Sequence, residues 1–500
     1  MEYNFHPLTW TTYNLNSAKL SLQPLFFTPI YLLLKFCGIV RVLSRSLDRC
    51  VLFQQIFLGL LFGLLLITSY SSLALTSKTT NIINGNAPYL TFDGGRTHAK
   101  NTNGLLEISL SDGSSFTPSS RNSKNNPIVL PVAGQSFVDI DMLVPTNTDS
   151  IALSSLIGPP YNYWGDDDGD GQGIDGISST GSLSLSIVDR DNQPVARNTK
   201  LDICKAPYQL TLSTTSGSLK TRYGVPNESH FGASKVTYYI NPKPVPEICF
   251  IRPIMGANFS KGKYAGPASI WDPGYGFLPQ PVTPSSYGLN FPTTGANNLY
   301  FDLNIGGVAQ PLTWKAVSAN GDIKVTMTNS KRDSVRITLT GPVAKDSQWS
   351  LDNPGNIDKP SLPQVIELVG LDSNNNEVLK YGFVLKQWFV NRGNRMYTYA
   401  SMSSWCTNIG YRLSKIKDLT NANYNNLGAT PSSLGNHLQR TIGAGFFSEW
   451  PTPASYKGGN FVNYYYWASD PTNLRVVAHT GQVSKFTATN GSFHGVCVYP

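Results

Sequence analysis

The sequence predicts a mainly β protein, with tandem β-sandwich modules followed by a smaller α+β module. Charged residues are only 14% of the 500-residue chain, whereas Gly contributes 44 positions, Tyr 25 and Phe 23. A mix this polar, aromatic and weakly charged favours turn-rich sheets over helical enzymes. Short alternating runs separated by Gly, Asn, Asp and Ser turns recur between residues 127 and 385. Only beyond residue 386 does a helical period enter.

Residues 1–74 read as a signal peptide with a long N-terminal extension. The apolar run 56–67 is too short to span a bilayer comfortably. Arg41, Arg45 and Arg49 precede it, and Ser72-Leu-Ala74 supplies small residues for cleavage after Ala74. The competing reading is an uncleaved anchor over 51–75. Cys37 and Cys50 fall in the removed part, which leaves Cys204, Cys249, Cys406 and Cys497. An even count in an exported chain argues for two bridges, most simply Cys204–Cys249 and Cys406–Cys497, one per module, although other pairings are open. The second would close a loop of roughly 90 residues, with a chain-entropy stabilisation of about 4–5 kcal/mol. Unpaired buried thiols are the alternative.

Residues 75–126 form a polar leader with one or two strands, such as 105–110. The region 127–310 is β-rich. Strands are expected at 138–142, 181–188, 208–212 and 235–240, with a turn at Asp189-Arg-Asp-Asn192. Residues 249–307 are dense in Pro, Gly and aromatics. Residues 311–385 read as an Ig-like sandwich. Asn320-Gly321 is a hairpin signal ahead of 323–327. Val335, Ile337 and Leu339 alternate, and Asn374-Asn-Asn376 joins 365–371 to 378–385.

Residues 386–500 open with a strand, Lys386–Val390. Tyr399, Met402, Trp405, Cys406 and Ile409 then recur at helical spacing, and Gly410 stands where a helix C-cap belongs. A second helix is expected over 414–422, with Ile416 and Leu419 inward, and a closing strand over 494–500. Ten Lys/Arg face only Asp418, Glu449 and Asp470 here, a net charge of +7 within a chain of +8. That balance suits a polyanionic partner, or it is an ordinary solvated basic face.

The helix with Trp405-Cys406, the turn Gly410-Tyr-Arg-Leu413 and Lys417–Asn421 form an ordered set with Gly443-Ala-Gly-Phe446, Tyr466-Trp467 and Gly495–Pro500. Over about 115 residues this set resembles the C-type-lectin-like adhesion module of the enterobacterial intimin/invasin-type adhesins. The Glu-Pro-Asn, Gln-Pro-Asp and Trp-Asn-Asp triplets of calcium-dependent, sugar-binding lectins are missing, with Trp467-Ala-Ser-Asp470 the nearest approach. Upstream, Cys249-Phe, Gly266-Pro-Ala-Ser, Trp271-Asp-Pro and Phe291–Asn297 resemble a repeat of unknown function in enterobacterial surface proteins, covering about 127–345. The resemblance implies tandem Ig-like modules ending in a C-type-lectin-like domain. It also implies an adhesin, secreted or at the bacterial cell surface, that binds a host-cell receptor, extracellular matrix or a glycan. No barrel-forming stretch is visible, so attachment would use an outer-membrane partner, or the chain would be released.

Enzymatic chemistry is not expected. His-Glu-x-x-His, Gly-x-Ser-x-Gly and phosphate-cradling Gly loops are missing, and His98, His230, His437, His479 and His494 are scattered singly. A secreted enzyme acting on surface glycans and a structural stalk are the rival readings, and no nucleic-acid partner is expected. No cofactor is expected except structural calcium. Asp166, Asp168 and Asp170 with Gly171 imitate the opening of a calcium loop, but Ile177 stands where its closing Glu belongs, with Asp175 as a substitute. A solvated acidic loop is the alternative. The expected ligand-binding set is Tyr464, Tyr465, Tyr466, Trp467 and Trp450, helped by Arg440 and Lys457. Three consecutive tyrosines cannot all point inward on a strand, and exposed Tyr, Trp and Arg are the residues of binding hot spots. Core aromatics are the competing reading.

Overall fold

The protein is described from a computed structural model over residues 84–500, apart from 169–175, 257, 319–320, 471–472 and 488–490, with Gln55 and Gly59 isolated upstream. The expected signal peptide, its cleavage site and Asp170 lie outside the described residues. Among the described residues no helix is long and apolar enough to cross a membrane.

The chain is mainly β, with short helices, and has two large cores. In the first, β1 (Ser182–Val188), β2 (Tyr208–Thr214) and β3 (Ser234–Asn241) are antiparallel neighbours. Two short strands, Ser150–Ala152 and Ile128–Val129, complete a five-stranded sheet. Leu183, Leu185, Ile187, Leu210 and Leu212 fall on the buried face, as strict alternation requires. The run expected as a strand over 138–142 is mostly a turn. Asp139 accepts from the backbone N–H and hydroxyl of Ser136 and winds Phe137–Asp139 into a 3₁₀ turn, leaving only Ile140–Asp141 extended.

The second core is built on β4 (Glu247–Pro253), β5 (Thr294–Ala296), β6 (Tyr300–Gly306), β7 (Thr313–Ser318), β8 (Lys324–Thr328), β9 (Ser334–Thr340), β10 (Gln364–Leu371) and β11 (Glu377–Leu385). Strands β4, β6, β9 and β8 are hydrogen-bonded in that order, so the boundary expected at 310/311 falls inside one sheet. A facing sheet has the order β7-β10-β11. The β10–β11 hairpin forms at Asn374–Asn376, where Asp372 accepts the Asn374 and Asn376 amides and Asn375 takes φ +62°. Asn320 of the expected Asn320-Gly321 hairpin lies outside the described residues, and the strands that flank it do not pair with each other. Strand β7 pairs with β10 and β8 with β9, so the chain crosses there from one sheet to the other.

The last stretch is grafted onto this core. Strand β12 (Gln387–Asn391) runs parallel to β5 and antiparallel to the closing strand. Helix α1 (Tyr399–Asn408) is capped by the Thr398 hydroxyl, buries Met402, Trp405 and Cys406, and stops at Gly410 with φ +84°. After β13 (Arg412–Leu413), the expected second helix is a single turn, α2 (Ile416–Leu419). Asp418 accepts the Lys415 amide at its start, and extended Thr420 ends it. Ile416 and Leu419 are buried as expected. Then come α3 (Phe446–Glu449), β14 (Tyr465–Ala468), β15 (Leu474–Val477), β16 (Val483–Lys485) and the closing strand β17 (Val496–Tyr499).

One hydrophobic cluster runs unbroken from Ile248 to Val498, and a separate one holds Leu90 to Ile240. The aromatics of the last stretch are tied upstream by their polar atoms. The indole N–H groups of Trp388, Trp405 and Trp450 donate to the carbonyls of Pro342, Gln348 and Thr294. Tyr411 donates to the Asp358 carbonyl, and Tyr456 accepts the Ile254 amide. Cys406–Cys497 joins α1 to β17. Cys204–Cys249 was expected to lie within the first module, but Cys249 sits on β4, so the bridge joins the two cores. Beside it the Arg190 guanidinium lies 4.2 Å from the Tyr275 ring centre, and Tyr275 donates to Asp191 at 2.6 Å.

Each large aromatic exposed by cutting this core would cost about 2 kcal/mol, against a whole stability of about 5–15 kcal/mol. A fragment of residues 386–500 is therefore expected to melt without cooperativity. Residues 247–500 carrying Cys249→Ser should show one sharp transition. Circular-dichroism melts compare them, and a cooperative transition in the short fragment would contradict the shared core.

Candidate binding face

The residues expected to hold ligand separate by burial. Arg440 and Trp450 are 0% exposed, and Tyr466 and Trp467 are 2% exposed. A side chain without solvent access cannot reach a ligand while the fold is intact, so these four belong to the interior. Arg440 donates from Nε and one terminal nitrogen to the Phe259 carbonyl (2.9 and 2.7 Å), and from the other to the carbonyls of Phe447 and Ser448. Trp450 lies 4.8 Å from Phe291, and Tyr466 bonds back to Val462. Lys457 is exposed, and its neighbours Tyr456 and Gly458 bond to Ile254 and Asn298; among the described residues it makes no ion pair or ring contact.

Tyr464 and Tyr465 remain. In the sheet β14-β15-β16, Trp467 stands opposite Arg475, and Arg475 opposite Ser484. Alternation turns Tyr466, Ala468, Leu474, Val476 and Val483 inward, and all five are buried. The other face carries Tyr465, Trp467, Arg475 and Ser484. Phe493 and Phe486 roof its Trp467 end, at 4.8 and 6.0 Å from that ring. Trp467 donates to the Tyr397 carbonyl at 2.8 Å, which fixes it as the floor. Tyr464, 44% exposed, stands at the open end with its ring 5.2 Å from Tyr465.

Arg475 lies at the centre of this face. Its guanidinium carbon is 4.0 Å from the ring centre of Tyr465, 4.6 Å from Phe493 and 5.1 Å from Phe486, and its Nε donates to the Ser484 hydroxyl at 3.1 Å. Cation–π contact with three rings and one hydrogen bond hold the group in place without neutralising it. Among the described residues the ion pairs of the last stretch are Arg392–Asp352, Arg412–Asp418 and Lys415–Asp470. Its three acids are thus committed: Asp418 and Glu449 are buried, and Asp470 sits by Lys415. Among the described residues Arg475 has no carboxylate partner. Sequence reading missed it because its position becomes visible only once β15 is laid against Tyr465–Ala468. The alternation in Leu474-Arg-Val-Val477 was the available signal.

The +7 of this stretch is also less of a surface property than its sum suggests. Arg440 and Arg392 are interior, Arg392 lying 3.8 Å from the Tyr397 ring centre, and Arg412 grips Asp418.

In the expected calcium loop, Asp166 is half-buried and Asp168 is exposed and accepts the Asn86 amide. Asp167 turns toward Lys100 at 3.6 Å and His98 at 4.0 Å.

No family model matches the chain, and no curated protein does. Among solved structures it is similar to invasin, a bacterial integrin-binding protein, at 15% identity and TM-score 0.31, over 65% of this chain and 51% of that one. The chain therefore spans about half the length of that structure. It is also similar to a 282-residue C-terminal fragment of intimin in complex with the translocated intimin receptor, at 12% identity and TM-score 0.27, over 65% of this chain and 98% of that one. An intimin mutant of EHEC O157:H7 aligns at 12% identity and TM-score 0.24, over 42% of this chain and 89% of that one.

Burial holds three histidines of this stretch below their ordinary pKa: His437, where Lys263 adds repulsion, His479 and His494. His479 lies 4.6 Å from Phe259, and His494 lies 5.7 Å from Tyr466. With folded values lowered, the unfolded chain takes up protons first. These groups therefore contribute stability fully above about pH 6.5 and lose it as pH falls through their folded values. Glu449, raised by burial, acts with the opposite sign. The midpoint of the second core is expected to fall between pH 7 and 5.5, and His479→Gln should flatten that slope. A slope in calorimetry that His479→Gln leaves unchanged would contradict the burial of this imidazole.

Proposed function

We propose that the chain is an exported bacterial surface adhesin whose C-type-lectin-like end binds a host-cell or matrix receptor through the Tyr464–Tyr465–Arg475 face. The observation that carries this reading is a fixed, unneutralised guanidinium among aromatic rings, with an exposed tyrosine beside it. Such a group binds through preorganised contact: the rings lose little entropy on binding, and the cation is already desolvated on several sides. The sequence resemblance of the last 115 residues to intimin/invasin-type adhesion modules supports the same reading. The core shared with the Ig-like sandwich upstream suits a rigid presenter, because the binding end cannot swivel on a linker.

Tyr464→Ala should leave the melting temperature unchanged and weaken adhesion of the full chain to cultured cells by about 2 kcal/mol, some thirtyfold. Tyr466→Ala and Trp450→Ala should instead lower the melting temperature by several degrees. Adhesion measured alongside thermal melts decides it. A folded Tyr464→Ala, Tyr465→Ala double variant that adheres normally would remove this face from the function.

A further inference from the structure

We propose that the group received by Arg475 is the carboxylate of an acidic saccharide. This rests on the adhesion reading above and specifies the ligand of the same face. Nε of Arg475 is already engaged by Ser484, so the terminal nitrogens are left to offer two parallel N–H bonds. That end-on fork matches the two oxygens of a planar carboxylate. Charge complementarity points the same way, since every acid of residues 386–500 is either buried or beside Lys415.

The surroundings select a sugar over a polypeptide. The face spans three strands of four, four and three residues. At about 4.8 Å between strands and about 3.3 Å per residue, the whole sheet measures roughly 10 by 13 Å, and Phe486 and Phe493 roof its Trp467 end, so the open part is smaller still. A stable protein–protein interface needs about 800 Å² from each partner, several times that area. One pyranose ring matches the part left open at the Tyr464 end. The C–H groups on a sugar ring, polarised by neighbouring oxygens, would pack against the electron-rich face of exposed Tyr464, as Arg475 already does against Tyr465. A polysulfated chain would need a row of cations, whereas among the described residues Arg475 is the one cation seated among these rings.

The test is calorimetric titration of the full chain with sialyllactose and with a hyaluronan tetrasaccharide. Lactose and chitobiose serve as neutral counterparts, and an intimate read of cell adhesion accompanies each preparation. At least one carboxylated probe should bind about tenfold or more tighter than its neutral counterpart. Arg475→Lys keeps the charge but loses the fork, and should weaken that binding about tenfold. Tyr464→Ala, on an exposed side chain, should weaken it in a folded protein even where Arg475 variants misfold. Adhesion that persists with no carboxylated sugar bound, or neutral sugars bound equally well, would overturn the saccharide assignment and leave the adhesion reading standing. A chain that binds neither cells nor sugars would overturn both.

Discussion

Glu449 is a carboxylate with no exposure to solvent, held by five donors: the amides and hydroxyls of Thr293 and Thr294 and the amide of Gly443. Four of these come from a segment more than 150 residues away in sequence. Burying a bare carboxylate costs several kcal/mol, and removing the partners of a buried charge costs about 3–5 kcal/mol. Burial still raises the acid above its usual range, so the donors offset the desolvation only in part. The geometry is therefore demanding. Gly445, at φ +97°, turns the chain into α3, and a Cβ there would lie 2.7 Å from the Thr420 nitrogen. That turn delivers Glu449 to Thr293 and Thr294 just as β5 enters the sheet beside β12.

The consequences run outward from that contact. Strand β5 begins at Thr294, and its pairing with β12 places β17 next in the sheet and β13 beyond it. Strand β17 carries Cys497, which holds α1 through Cys406. The His494 amide, just ahead of β17, donates to the Tyr465 carbonyl, and the Trp467 amide to the His494 carbonyl. The outer sheet is thus hung from the edge of the shared core. Phe493, in the same approach to β17, packs against Arg475 and Trp467. A buried carboxylate near residue 293 and an exposed tyrosine at 464 are in this sense parts of one frame.

Sequence reading reached what local pattern controls. Helix α1, its Gly410 cap and the β10–β11 hairpin each depend on residues within a few positions of one another, and all are where the pattern put them. The reasoning about three adjacent tyrosines also held in its physical core: Tyr466 is buried and Tyr464 exposed. What failed was long range. Trp450, Arg440 and Trp467 looked like surface residues because their partners at Thr294, Phe259 and Tyr397 are distant in the chain. The strands flanking Asn320-Gly321 misled for the opposite reason: β7 and β8 do not pair with each other, because each finds its neighbours in a different sheet. Arg475 was passed over because the alternation in Leu474-Arg-Val-Val477 marks which face it takes but not what that face meets until the opposing strand is known.

The central claim is that residues 247–500 form one cooperative unit fastened at Glu449, with the aromatic–arginine face as its rigid outer edge. Native-state hydrogen exchange on the full chain measures this most directly. The amides of Thr293 and Thr294 and those of β12 and β17 should exchange through one opening, with free energies within about 1 kcal/mol and the same denaturant dependence. If β12 and β17 exchange through a lower-energy opening that leaves Thr293, Thr294 and β9 protected, the end of the chain is a separate module and the claim fails.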